Sequence, residues 1–92
     1  MKTIEIVVSG RVQGVGFRAC IRRVAMNIGI TGEVMNLPDG KVRILATGDP
    51  PLLDKFVSML YGCTRVVIRD MQIADRGLSS FHDFSIVRQK SQ

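Results

Sequence analysis

The chain has 92 residues, a length that suffices for one domain with one modest hydrophobic core. Thirteen Lys and Arg against eight Asp and Glu leave a net charge of +5, which favours anionic partners such as nucleic acid, acidic membrane surfaces or phosphorylated compounds. No apolar run is long enough to span a bilayer, and the first residues lead directly into a strand-like pattern containing Glu5, so we expect a single cytoplasmic domain over residues 1–92 with no signal peptide.

Hydrophobic periodicity predicts five strands and two helices. The first helix is amphipathic and has Gly29 in the C-cap position, and the second opens at Asp49 followed by two prolines. A hairpin is predicted at Pro38-Asp39-Gly40, because glycine supplies the positive φ that a tight reversal needs. In chain order, the predicted elements are a strand at residues 3–9, a helix at 18–28, strands at 31–37 and 41–47, a helix between residues 49 and 62, and strands at 65–73 and 81–88.

The order of these elements predicts the fold class. It reads βαββαβ with an additional C-terminal strand, which is typical of an α+β, two-layer ferredoxin-like sandwich. In such a fold an antiparallel sheet carries two helices on one face. This architecture hosts many unrelated functions, so the fold alone does not indicate an activity.

The cysteines and the histidine offer little chemistry. Cys20 and Cys63 are too few and too far apart in sequence for a zinc site, and no CxxC motif occurs. For a cytoplasmic chain we expect two reduced, buried thiols, the alternative being a disulfide between helix ends. His82 is the only histidine, and an ordinary surface role is expected for it. The residues therefore predict neither a metal site nor a cofactor.

The segment from Gly10 to Arg18, GRVQGVGFR, joins the first strand to the first helix. Its glycines allow successive backbone N–H groups to turn towards one point, where the positive end of the helix dipole adds to the attraction for an anion. Arg18 adds a guanidinium whose forked donors match two phosphate oxygens. The spacing fits neither the Walker A nor the dinucleotide-binding motif, so nucleotide binding is not indicated. The residues thus indicate a phosphate or carboxylate site, the alternative being a tight connection with a solvated Arg18.

The same segment resembles the signature of the acylphosphatase family and matches it at every position. The resemblance continues through VMN at residues 34–36, DGKV at 39–42 and FSI at 84–86, so that it covers nearly the whole chain. There are departures close to the signature: Glu33 and Ala19 stand where the family frequently has aromatic residues. These departures bear on substrate preference rather than on phosphate binding.

The resemblance implies hydrolysis of a carboxyl–phosphate anhydride to a carboxylate and inorganic phosphate, without a metal. It implies that Arg18 and Asn36 are the catalytic residues, with Arg18 binding the phosphoryl group and Asn36 orienting the attacking water. A carboxylate is a stable leaving group, so the reaction requires no general acid. The predicted phosphate-binding residues are Gln13, Gly14, Val15, Gly16, Phe17 and Arg18. The expected partners are a small acyl phosphate, such as an acetyl, carbamoyl or glycolytic acyl phosphate, and inorganic phosphate, bound by a monomer.

Two alternatives stay open. A non-catalytic acylphosphatase-like domain stands at the front of larger carbamoyl-transfer proteins of hydrogenase maturation, but those continue into cysteine-rich zinc modules, and an end at Gln92 favours a free-standing enzyme. A basic ferredoxin-like module could also bind RNA, which requires aromatic residues on a central strand. Here Phe17 falls in the loop before the first helix and aromatic residues are scarce. We therefore expect neither nucleic acid nor a membrane as a partner.

Overall fold

The computed structural model describes residues 1–88, which form one five-stranded sheet with two helices. The strands are arranged in the order β4-β1-β3-β2-β5, so the predicted ferredoxin-like order with an additional C-terminal strand is confirmed. Neither helix within residues 1–88 is long and apolar enough to cross a membrane. The elements are β1 (Lys2–Arg11), α1 (Phe17–Ile28), β2 (Thr31–Asn36), β3 (Val42–Gly48), α2 (Pro50–Leu60), β4 (Val67–Arg76) and β5 (Phe84–Ile86).

The sheet is mixed, which corrects the prediction of an antiparallel sheet. β1 pairs antiparallel with β3 and β4, and β2 pairs antiparallel with β3, but β5 pairs parallel with β2. The reason is the loop of residues 77–83, which carries the chain from the β4 edge to the β2 edge and reverses its direction. Since β4 runs opposite to β2, the reversed chain runs parallel to β2 when it forms β5.

Two buried threonines at one end of the sheet hold this loop. Thr3 in β1 and Thr47 in β3 are directly paired, and their hydroxyl oxygens are 2.6 Å apart. The Thr47 hydroxyl donates to the carbonyl of Ser79 at 2.9 Å, and the Ser79 N–H donates to the Thr3 hydroxyl at 2.9 Å. Each buried hydroxyl is therefore hydrogen-bonded, which fixes the point where the chain crosses to the other edge.

The hydrophobic core lies between the helices and one face of the sheet. Phe56 of α2 and Phe84 of β5 meet there with ring centroids 6.1 Å apart, so the last strand is packed into the same core. Alternate residues of β1 and β3 and one stripe of each helix supply the rest, as the periodicities predict. These residues are Ile4, Ile6 and Val8 from β1, Val42, Ile44 and Ala46 from β3, Phe17, Ile21, Val24 and Ala25 from α1, and Leu53 and Leu60 from α2.

The end of α1 and the start of α2 lie at the residues that the sequence patterns predict. Gly29 ends α1 with φ of +81°, and its N–H donates to the carbonyl of Ala25. Asp49 occupies the N-cap of α2 and is followed by proline, as predicted. Its side chain makes no capping hydrogen bond, and one carboxylate oxygen lies instead 3.7 Å from the amino group of Met1.

A disulfide joins Cys20 to Cys63, so the expectation of two reduced thiols is wrong. α1 follows β1 and α2 follows β3, which is antiparallel to β1, so the two helices run in opposite directions. The start of α1, where Cys20 lies, is consequently beside the end of α2, just beyond which Cys63 lies. The two Cα atoms are 6.1 Å apart, within the range that a disulfide spans.

Candidate active site

An irregular turn connects β1 to α1. Gly14 and Gly16 have φ of +74° and +78°, a left-handed conformation that glycine adopts without steric cost. Gly16 is the N-cap of α1, and its carbonyl accepts the first helical hydrogen bond, from Cys20 at 3.1 Å. No side chain of residues 1–88 caps this end of the helix, so the first N–H groups of α1 stay available to a ligand.

Two adjoining clefts open beside this turn, with volumes of about 300 Å³ and about 550 Å³. Both are bordered by Gln13, Arg18 and Asn36, so the structure brings together the two residues predicted to be catalytic. The other residues bordering the first cleft are Val12, Gly14, Gly16, Phe17, Ala19, Ile86 and Arg88. Those completing the second are Leu37, Pro38, Val87 and Arg88.

Five of the six predicted phosphate-binding residues border the first cleft. The sixth, Val15, is partly buried and packs its side chain against the hydrophobic core, thereby anchoring the turn. Val12 and Phe17 are also buried, on either side of Val15. The turn is therefore held by apolar side chains pointing inward, while its glycines border the open space.

Asn36 ends β2, where it pairs with Val42 of β3. Its side-chain oxygen Oδ1 is buried and accepts no hydrogen bond from any residue within 1–88. A buried oxygen without a hydrogen bond lowers the free energy of unfolding by about 1–3 kcal/mol. Such groups are rare in folded proteins. The local pattern around Asn36, an asparagine before a turn, carries no sign of this, and only the family resemblance singled the residue out.

Gln13 links the two halves of the site through its side chain, a role that the sequence did not indicate. Its Nε2 donates to the carbonyls of Leu37 and Lys41, at 2.8 Å each. These carbonyls belong to the hairpin that directly follows Asn36, whose ends are joined by the Leu37 N–H donating to Lys41 at 2.8 Å. Gln13 thus fixes the turn that precedes Arg18 relative to the strand that carries Asn36.

Ile86 and Arg88 were not predicted to belong to the site. The parallel pairing of β5 with β2 brings them there, since Val34 lies opposite Ile86 and the Val87 N–H donates to the Val34 carbonyl at 2.8 Å. Alternation along the predicted last strand places Phe84, Ile86 and Arg88 on one side, which is the available sequence signal. Knowing which face of the strand carries these residues could not place them at the site, because the predicted sheet did not specify which strand β5 would join.

The charged residues that border the two clefts, within the part of the chain that the structure describes, are Arg18 and Arg88. No carboxylate of residues 1–88 borders either cleft, and His82 is exposed and lies away from both. The same residues include no cluster of three or more His, Cys, Asp or Glu that could hold a metal ion. The electrostatics of the site therefore favour an anionic ligand.

The chain is similar to known proteins over nearly its whole length. The acylphosphatase family matches residues 4–86 of the chain. A relative from Archaeoglobus fulgidus named acylphosphatase is 44% identical over 87 residues, which are 94% of this chain and 98% of that protein. The crystal structure of acylphosphatase from Bacillus subtilis superposes with a TM-score of 0.90 at 38% identity, covering 95% of this chain and 99% of that one.

A larger protein also contains a similar domain. The crystal structure of full-length HypF, in a phosphate- and nucleotide-bound form, superposes with a TM-score of 0.87 at 27% identity. The match covers 94% of this chain but 12% of that one. The same fold thus occurs both as a protein of about this length and as a small part of a much longer one.

Proposed function

Because the chain belongs to the acylphosphatase family and is a hydrolase of acyl phosphates, we propose that the two clefts beside the GRVQGVGFR turn are its active site. One observation carries this assignment. Arg18, the uncapped start of α1 and Asn36, whose buried Oδ1 has no hydrogen-bond partner within residues 1–88, border the same open space. An anion binder and a buried acceptor beside it are what the hydrolysis of a phosphoryl group by water requires.

In this proposal the phosphoryl group lies against the turn. Backbone N–H groups from Gln13 to Arg18 and the Arg18 guanidinium donate to its oxygens. Phosphoryl transfer passes through a loose transition state, so positioning and charge stabilisation supply most of the rate enhancement. Donors that are fixed before the substrate arrives need no reorganisation as charge moves onto these oxygens. The glycine conformations and the apolar anchors of the turn provide that rigidity.

Asn36 orients the attacking water. Its side-chain amide, which borders both clefts, holds that water by a hydrogen bond and so directs an oxygen lone pair towards phosphorus. An amide is too weak a base to remove the proton, which leaves with the product phosphate once the bond to phosphorus has formed. The leaving carboxylate is stable as an anion and needs no proton. The absence of a histidine or paired carboxylates at the clefts is therefore compatible with this reaction.

The proposal includes independence from metal ions. The Arg18 guanidinium and the N–H groups of the turn supply positive potential at the phosphoryl oxygens, the task that a divalent cation performs in many phosphoryl-transfer enzymes. Activity in the presence of a strong chelator is the expected result. Loss of activity on chelation, restored by one added divalent cation, would contradict it.

The experiment that tests the site compares hydrolysis of benzoyl phosphate by the wild type, Arg18→Ala and Asn36→Ala. We expect each variant to lose at least about 100-fold in kcat/KM, as loss of a donor to a developing negative charge does. Lys55→Ala, an exposed lysine of α2 away from both clefts, is the matched control for removal of a positive charge. Full activity of Arg18→Ala or Asn36→Ala would refute the residue assignment.

The two alternatives have their own outcomes. A non-catalytic domain would bind inorganic phosphate without hydrolysing any acyl phosphate. An RNA-binding module would retain single-stranded RNA on a filter at physiological salt, whereas we propose no nucleic-acid partner. Phe17 supports the proposal, because its side chain is only 1% exposed and does not offer its ring to a base.

We extend the proposal to a monomer, one domain over residues 1–92, that acts in the cytoplasm on a small acyl phosphate. Sedimentation at micromolar concentration tests the oligomeric state. The disulfide is unusual for a reducing compartment, so the location needs its own measurement. Cell fractionation, combined with alkylation of free thiols in acid-quenched cells, reports both the compartment and the state of Cys20 and Cys63.

A further inference from the structure

We infer that Arg88 determines substrate specificity by binding a second negative charge, located on the acyl part of the substrate. This inference rests on the proposed active site and adds to it the class of acyl group that the site accepts. The class is a short aliphatic acyl phosphate whose chain ends in a carboxylate or a second phosphate.

The position of Arg88 follows from the pairing of β5 with β2. Val34 lies opposite Ile86, and the Val87 N–H still bonds to the Val34 carbonyl, so the chain continues alongside β2 beyond the end of β5. Asn36 and Arg88 each lie two residues beyond this last pair. Arg88 accordingly borders both clefts, together with Arg18 and Asn36.

Arg88 adds charge that the phosphoryl group does not require. Arg18 and the start of α1 already face that group from the turn, whereas Arg88 comes from a different element on the β5 side. Within residues 1–88, no hydrogen bond or ion pair engages the Arg88 guanidinium, and no carboxylate borders the clefts to balance it. A guanidinium at a cleft that already holds one attracts a further carboxylate or phosphate.

The space beside Arg88 suits a short aliphatic chain. Ala19 and Ile86 border the first cleft, and both are apolar. Ala19 contributes only a methyl group, at a position where the resembling family frequently has an aromatic residue, so the cleft stays open next to α1. A phosphoryl group at the turn would therefore place an acyl chain against Ala19 and Ile86, with the chain end at Arg88.

Two substrates of equal carbon count test this assignment: succinyl phosphate, which ends in a carboxylate, and butyryl phosphate, which ends in a methyl group. We expect Arg88→Gln to lower kcat/KM for succinyl phosphate by about tenfold, mainly by raising KM, because a charge-assisted hydrogen bond is lost. We expect a change of less than about twofold for butyryl phosphate, which makes no such bond. Lys55→Gln removes the same charge away from the clefts, and it should leave both values unchanged.

The outcomes separate this inference from the proposed function. If Arg88→Gln lowers kcat/KM equally for both substrates, Arg88 acts on the phosphoryl group or on the fold. If it lowers kcat/KM for neither, Arg88 does not contact the substrate. Either result would overturn the inference. Hydrolysis of neither substrate by the wild type would overturn the proposed function and the inference with it. Retention of most of the preference for succinyl phosphate by Arg88→Lys would support a charge-based role. Urea midpoints of all variants check that the fold is unchanged.

Discussion

Gln13 links the two parts of the proposed active site through one side-chain amide. Its Nε2 contacts the carbonyls at both ends of the hairpin that follows Asn36, and its backbone belongs to the turn that leads to Arg18. In the proposed site, the distance between the donors of the turn and Asn36 therefore depends on this residue. Small displacements between such groups reduce catalysis strongly, because the attacking water must lie in line with the bond that breaks.

Gln13→Ala is expected to lower both stability and activity. Loss of two hydrogen bonds should decrease the free energy of unfolding by about 1–3 kcal/mol. Loss of the link should lower kcat for benzoyl phosphate more than it raises KM, because phosphate binding by the turn survives while the water is misplaced. Urea denaturation and steady-state kinetics measure the two effects. A variant that is destabilised but retains the wild-type kcat would contradict the positioning role.

Glu5 stabilises the sheet on the face opposite the helices. It accepts hydrogen bonds from Arg43, at 2.5 Å, and from Arg76, and it thereby joins β1 to both neighbouring strands. The hydrogen bond from Arg43, followed by that from Arg76, holds the pKa of the Glu5 carboxyl below its ordinary value of 4.5. A carboxyl whose pKa is lower in the folded state stabilises the fold above the unfolded pKa, and this contribution is lost as the pH falls through the folded pKa.

The pH dependence of Glu5→Gln follows from this direction. At pH 7 the variant should be less stable than the wild type by roughly 1.5–3 kcal/mol, the value of a hydrogen bond to a charged group. The difference should shrink below about pH 4.5 and vanish once the wild-type carboxyl is protonated. Thermal unfolding from pH 7 to pH 2.5 measures it. A difference that is independent of pH would show that the ionised carboxylate is not the source of the stability.

Among the elements, α1 and β5 both border the proposed site and are held by different means. α1 presents the uncapped N-terminus and Arg18, and the disulfide at Cys20 ties that first turn to the end of α2. β5 is only three residues long and depends on the loop of residues 77–83 to reach β2. The disulfide and the loop thus add to the packing that holds these two elements beside the clefts.

Reduction of the disulfide is expected to destabilise the protein by roughly 2–4 kcal/mol, because the bond closes a long loop of the unfolded chain across a sequence separation of 43. Activity below the unfolding transition should largely persist, since neither cysteine borders the clefts. Thermal unfolding with and without dithiothreitol measures the effect. The double variant Cys20→Ser/Cys63→Ser is the control and should not respond. An equal response of the double variant would contradict the assignment.

Thr47→Val tests the attachment of β5. The variant keeps the shape of the side chain but removes the hydroxyl that donates to the carbonyl of Ser79 and that is hydrogen-bonded to the buried hydroxyl of Thr3. We expect a loss of about 1–3 kcal/mol in unfolding free energy, together with faster amide exchange of Val87. Ser80→Ala, an exposed neighbour in the same loop, is the control and should have little effect. Unchanged exchange at Val87 would contradict the anchoring role.

For the whole molecule, local patterns predicted the element order, because periodicity and turn residues act within a few positions. The partner of β5 and the joined cysteines were not predicted, because both depend on where the chain crosses the sheet. Arg18 and the turn were indicated by residue chemistry. Asn36 required the family resemblance, and the contribution of Arg88 required the parallel pairing, since neither has a local pattern that distinguishes it from a surface residue.

The net charge of the whole chain is +5, and Arg18 and Arg88 border the clefts whereas no carboxylate of residues 1–88 does, so phosphate should bind there even without catalysis. The most direct test is titration of the isotopically labelled protein with inorganic phosphate, monitored by amide resonances. We predict saturable shifts concentrated at the amides of residues 13–18 and the side-chain amide of Asn36, absent in Arg18→Ala and preserved in Lys55→Ala. Shifts scattered over the surface, or unchanged by Arg18→Ala, would contradict the assignment of the active site.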